Sequence, residues 1–235
     1  MKKKEYLNGI NASKDKIGIL RMNKNEFCLD IASKAKEFIA DEEAKALIET
    51  AIRISRDVMK DKSEIAEKLY DYINHFTIYQ ENATDENTMA TWNSIIDAIA
   101  IICKNVYLET GAEYFPEPIE LVGDDTVDHM LNSFLSVSEN DLEISIRGEK
   151  MLRLWTAAGC IVMNEVHHIQ KYLPNAWAIG DDEGGFAIVR VKNYTNPGLY
   201  AVSFSDLDDS DKKFLAPSLS EFLFDGVGAD VFLDL

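Results

Sequence analysis

This chain has no apolar run long enough to cross a bilayer. Its longest such stretch, Ile95 to Cys103, is broken by Asp97 and falls well short of the ~20 residues a spanning helix needs. It does not open like a secreted protein either, because Glu5, Asn8, Gly9 and Asn11 follow Met1-Lys2-Lys3-Lys4 where an apolar segment would have to stand. Cysteine is scarce: Cys28, Cys103 and Cys160 are far apart, have no C-x-x-C spacing and sit in apolar neighbourhoods. They read as buried free thiols, and a cytoplasmic location is expected. Basic residues are in deficit, with 24 Lys and Arg against 41 Asp and Glu and a net charge of -17. Such a surface repels nucleic acid over most of its extent, so no direct nucleic-acid binding is expected, whereas a basic protein would be steered toward it.

Catalytic patterns are missing as well. There is no G-x-S-x-G, no Cys–His pairing in a supporting context and no glycine-rich phosphate loop. His167-His168 with Glu165 is the only histidine cluster, and adjacent helical residues point about 100° apart, so both cannot ligate one ion unaided. His75 and His129 stand alone. Asp181-Asp182-Glu183-Gly184-Gly185 invites a calcium reading, but an EF-hand needs a glutamate six residues after its glycine, and Arg190 is there instead. Glycines and acidic residues together describe a hairpin turn. No catalytic residue, metal or cofactor is assigned, and a non-enzyme is expected.

What is present is an apolar fraction of 46% with 10% aromatics, ample for a folded chain. The first part carries helical periods. Phe27, Ile31, Ala35, Phe38 and Ile39 form one stripe; Asp41 can cap a second helix, running from Ala44 to Val58 until Asp61-Lys62-Ser63 interrupts it. A third follows over Ile65, Leu69, Tyr72, Ile73 and Phe76. After Thr84 and Asp85, the stripe Met89, Trp92, Ile96, Ile99, Cys103 and Val106 predicts a helix buried on a broad face and stopped by Gly111. Such a stripe is read as core, not as a cofactor box. Tyr114-Phe115-Pro116-Glu117-Pro118 must leave the helix, since each proline removes a donor. A short helix is expected over Val127 to Leu135.

Near Ser136 to Asn140 the period changes. Leu142, Ile144 and Ile146 alternate, as do Leu152 and Leu154, which predicts strands. Thr156 caps a helix expected to run through Ile169 and end before Pro174. Residues 176–179, 186–191 and 199–204 read as strands, with Gly184-Gly185 turning between the first two. Ser218-Leu219-Ser220-Glu221 has capping-box spacing for a terminal helix closed by Gly226. The expected fold class is α+β, with an all-helical domain over 1–138 and an antiparallel sheet with helices on one side over 139–235.

Three segments of the second part resemble the SUKH superfamily of bacterial immunity proteins. They are Leu152-Arg153-Leu154-Trp155-Thr156, then Ile169-Gln170-Lys171-Tyr172-Leu173-Pro174-Asn175, then Ala178 to Val189 with its Gly180-Asp181-Asp182-Glu183-Gly184-Gly185 turn. Ser218-Leu219-Ser220-Glu221-Phe222-Leu223 stands where that family opens a closing helix, and Glu183 stands where it commonly has another glycine. The helical part, with Trp92 and Pro116-Glu117-Pro118, is similar to helical domains of other toxin-immunity proteins. The resemblance implies a protein that binds and neutralises a cognate bacterial toxin, frequently a nuclease, of a polymorphic or contact-dependent system. Candidate toxin-facing residues are Asp181, Asp182 and Glu183 at the turn and Asp206, Asp208, Asp209 and Asp211 on a later loop. The runner-up expectation is a non-catalytic regulatory adaptor of the same fold.

Overall fold

The computed structural model describes residues 16–17, 23–58, 65–111, 116, 119–192 and 196–235. The expected interruption at Asp61-Lys62-Ser63 and, Pro116 apart, the turn over Tyr114 to Pro118 lie outside them. The fold is α+β: a helical region followed by a curled antiparallel sheet with helices. Two compact units are formed, one from residues 23–137 and one from 138–235 with the short strand Lys16–Ile17.

The helical unit contains α1 (Lys24–Ala35), α2 (Glu42–Val58), α3 (Ile65–Glu81), α4 (Glu86–Thr110) and α5 (Asp124–Val137). Its helix starts follow from local chemistry. The Asn23 and Asp41 side chains accept from the first free N–H groups of α1 and α2, and Asp85 accepts from Thr88 N at 2.8 Å. Gly111, at φ +75, ends α4 in the left-handed conformation that glycine adopts without penalty. The core is α4, packed by α1, α3 and α5. Trp92, Ile95 and the run Ala98 to Cys103 are all buried on it, so apolar residues appear nearly all round that helix.

Two residues leave the expected stripes. Phe38 is 43% exposed because the chain tightens into a 3-10 turn over Lys36–Phe38, which changes the angular step between side chains. Met89 is 44% exposed because it sits on the first turn of α4, beyond the packed length.

The sheet unit runs in sequence order: β1 (Lys16–Ile17), β2 (Leu142–Ile146), β3 (Lys150–Leu154), β4 (Ala176–Asp181), β5 (Phe186–Val191), β6 (Gly198–Ser203) and β7 (Lys213–Ala216). β1 lies parallel to β2 and every later pair is antiparallel. Both faces are buried. Ala187, Val189, Tyr200 and Val202 face one way, toward Met163, Ile169 and Leu173 of the segment holding α6 (Ala157–Val166) and α7 (Ile169–Tyr172). Ile188 and Ala201, opposite one another in register, are buried on the other face. The C-terminal segment adds a π-helical turn (Glu221–Asp225) and α8 (Ala229–Leu233), whose Phe222 and Phe232 rings meet edge-on at 5.5 Å.

Thr156 caps α6 as its sequence predicts, accepting from Gly159 N at 3.1 Å. The helix does not continue through Ile169, however. His168 takes φ +53 and splits it into α6 and α7. The strands β1 and β7 are also absent from the periodicity, being two and four residues long. The capping-box segment opens a single wide turn, with Ser218 Oγ 2.9 Å from Glu221 Oε2, that closes at Gly226 in the left-handed region.

Candidate functional site

Three hairpin connections share one end of the sheet, because β2–β3, β4–β5 and β6–β7 all reverse there: residues 147–149, 182–185 and 204–212. The loops over 182–185 and 204–212 are tied together by Phe204 N, which donates to Gly185 O at 2.9 Å. All seven acidic candidates therefore lie at this end, but they do not share one character.

Asp181 and Asp182 are buried, each 3% exposed, and their oxygens are committed. Asp181 Oδ2 accepts from Arg153 Nη2 at 2.6 Å and from the Trp155 indole at 2.9 Å, while its Oδ1 accepts from Glu183 N at 3.0 Å. Asp182 Oδ1 accepts from Gly184, Gly185 and Phe186 N–H groups, each at 2.8 Å, and Lys150 Nζ lies 2.9 Å from Oδ2. Burial opposes ionisation of Asp182. Lys150 and the three amides outweigh it, holding the carboxyl below the usual range. These two carboxylates build the turn.

Glu183 is the exposed tip of that turn. Its φ is +55, a left-handed conformation in which a residue with a Cβ is disfavoured, and its carboxylate lies 3.6 Å from Arg153 Nη1. Asp206, Asp208, Asp209 and Asp211 are all exposed on the β6–β7 loop. Asp208 Oδ1 accepts from Ser210 N and Oγ, and Asp209 pairs with Lys212 at 2.7 Å; both contacts are local. The surface group is thus Glu183 with four loop aspartates, standing on a buried frame of Asp181, Asp182, Arg153, Trp155 and Lys150.

Sequence reasoning gave Arg153, Trp155 and Lys150 no role. The available signal was Leu152-Arg153-Leu154, where strand alternation sends Arg153 to the face opposite two core leucines. Asn164 was missed too, and its setting is unusual. β3 leaves the sheet at Leu154, so the start of β4 has no strand on that side. The buried Asn164 side chain replaces it: Nδ2 donates to Ala178 O at 2.6 Å and Oδ1 accepts from Ala178 N at 3.0 Å. Gln170 extends the patch, donating to Asn164 Oδ1 at 2.8 Å and to Ala176 O at 3.1 Å. Two side-chain amides thereby satisfy an open strand edge.

The histidine pair diverges. His167 is half-buried against Phe204, ring centroids 4.3 Å apart, and burial lowers its pKa; His168 is exposed. Among the described residues no group of three His, Cys, Asp or Glu is placed to hold a metal ion, and no helix is long and apolar enough to cross a membrane. Burial pushes the thiols of Cys28, Cys103 and Cys160 up to about 12.

In the helical unit polar side chains also meet between helices: Gln80 donates to Asn93 and Asn105 to Asn25, and a histidine of α5 reaches a carboxylate of α4. His129 Nδ1 of α5 lies 2.6 Å from Asp97 Oδ2 of α4. Burial raises the Asp97 carboxyl to about 6 even though His129 favours the charged form. The same unit is the one that known proteins recognise. Residues 23–137 match the family model described as Immunity protein Imm6. The helical unit is similar to an immunity protein. The Imm6 match begins at the cap of α1 and ends with α5, so it coincides with the compact helical unit and spans just under half the chain. No curated protein matches the chain.

Proposed function

We propose that this chain is an immunity protein that binds and neutralises a cognate bacterial toxin in the cytoplasm. The observation that carries the reading is the coincidence of the Imm6 match with the compact unit that holds α1 to α5. The net charge of -17 supports a basic toxin, in this reading a nuclease of a polymorphic or contact-dependent system, since a cationic active site calls for an anionic inhibitor. The sheet unit is read as SUKH-like. Its support is the order of α6 and α7, strand, acidic glycine turn, strand, and a closing segment that begins at Ser218. In this reading Glu183, Asp206, Asp208, Asp209 and Asp211 face the toxin, while Asp181 and Asp182 hold the turn that presents Glu183.

The test is co-purification from the native host with mass-spectrometric identification, repeated at high salt. A single basic toxin domain recovered at low salt, and depleted at high salt, is the expected result. Recovery of housekeeping proteins alone would overturn it in favour of an adaptor.

A further inference from the structure

The α3–α4 hairpin combines two properties found nowhere else in the helical unit's sequence. Residues 69–103 contain no Lys or Arg, yet they carry Asp71, Glu81, Asp85, Glu86 and Asp97. At the hairpin's end an aromatic ladder comes to the surface: Tyr72 packs on Phe76 with ring centroids 6.0 Å apart, Phe76 on Trp92 at 5.6 Å, and Trp92 stacks on Tyr79 at 5.1 Å. Tyr72 and Tyr79 are partly exposed, Met89 is 44% exposed and Ile78 is 57% exposed. On the preceding elements Lys45 pairs with Glu42 and Lys36 with Glu49, both at 2.8 Å.

We propose that this hairpin end, centred on Tyr79 and Met89 and flanked by Glu81 and Glu86, is the surface through which the helical unit grips an arginine- or lysine-rich face of a partner protein. Three pieces of chemistry converge on that partner. Tyrosine and methionine backed by a buried tryptophan give a rigid apolar anchor at low entropic cost. An exposed aromatic face attracts a guanidinium through its quadrupole. Exposed carboxylates in a stretch, residues 69–103, that holds no Lys or Arg supply charge complementarity and a fast approach. Asp85 is already used as the α4 cap, so the free charges are those of Glu81 and Glu86. The partner's identity as a toxin rests on the preceding reading; the place of the surface rests on the hairpin alone.

The test titrates nona-arginine into the full chain at physiological ionic strength and follows the Met89 methyl and Tyr79 ring signals by NMR. Both are expected to shift and saturate. Glu81→Lys/Glu86→Lys should weaken the affinity at least tenfold, and Met89→Ala, which trims a side chain 44% exposed, several-fold. The same charge change placed elsewhere, Glu120→Lys/Glu165→Lys, should leave the affinity within twofold. Shifts spread over the molecule, or equal losses in the two charge-reversal pairs, overturn the proposal. If a basic toxin co-purifies while nona-arginine leaves Met89 and Tyr79 unmoved, this surface falls and the toxin reading stands. If nona-arginine engages the hairpin and no basic protein co-purifies, the outcome is the reverse.

Discussion

The two units bury polar groups for different purposes. In the helical unit two buried hydroxyls serve their own helix: Ser55 donates to Ala51 O and Thr91 to Asn87 O, one turn back. In the sheet unit buried polar side chains close gaps that secondary structure leaves open. Asp141 accepts from Thr156 N, Asn164 stands in for a missing strand, and Asp182 gathers three turn amides. A helix satisfies its backbone internally except at its ends, where Asn23, Asp41 and Asp85 intervene. A curled sheet of short strands has many more such ends. Stability therefore resides mainly in apolar packing in one unit and is shared with specific hydrogen bonds in the other.

That contrast can be broken by substitution. Ile99 is fully buried in the centre of α4, so Ile99→Ala should cost about 2–5 kcal/mol through lost transfer energy and a cavity, read as a lower urea midpoint of helical signal. Asn164→Ala should cost about 2–4 kcal/mol, because it strands the N–H and C=O of Ala178; hydrogen exchange at Ala178 should accelerate first. Equal effects of Asn164→Ala and of a merely exposed substitution would remove the contrast.

Asp97 tests a costly polar contact of the helical unit. Its folded pKa of about 6 stands above the ordinary aspartate value of 3.8, so the folded state holds the proton more tightly. The associated stability is fully present below pH 3.8 and is lost as pH rises through about 6, amounting to roughly 3 kcal/mol. Asp97→Asn should flatten that part of the pH profile and raise stability at pH 8, measured by denaturant unfolding across the range. The smallest effect is expected at Glu183. Glu183→Gly should stabilise the sheet unit by about 0.5–1 kcal/mol by relieving its positive φ. If Glu183 faces the toxin, the same change should weaken binding in a calorimetric titration, so stability and affinity would move in opposite directions.

Helices were legible because their signals are local and repeated: a 3.6 period over many residues, an acceptor at Asp41 or Asp85 and a glycine at 111. The longer strands were legible for the same reason, alternation over five or six residues. Of the candidate site, the turn was visible in Asp181-Asp182-Glu183-Gly184-Gly185, since glycine and acidic residues favour such turns whatever surrounds them. The division of labour within it was not. Whether a carboxylate faces inward or outward depends on Arg153, Trp155 and Lys150, which lie some thirty residues away along the chain.

By itself, then, the sequence determined the α+β class, the helix caps, the main strands and the acidic character, all properties of neighbouring residues or of composition. Tertiary structure alone decided that β1 and β7 complete the sheet, that His168 breaks the helix after Thr156, and that Asn164 serves as a strand edge. It also decided that Met89 emerges at the surface one turn before Trp92, on which Tyr79 stacks, while Asp181 and Asp182 turn inward. The physical reason is common to all of these. Each depends on which backbone or charged group another part of the chain leaves unsatisfied, and that exists only once distant segments have met.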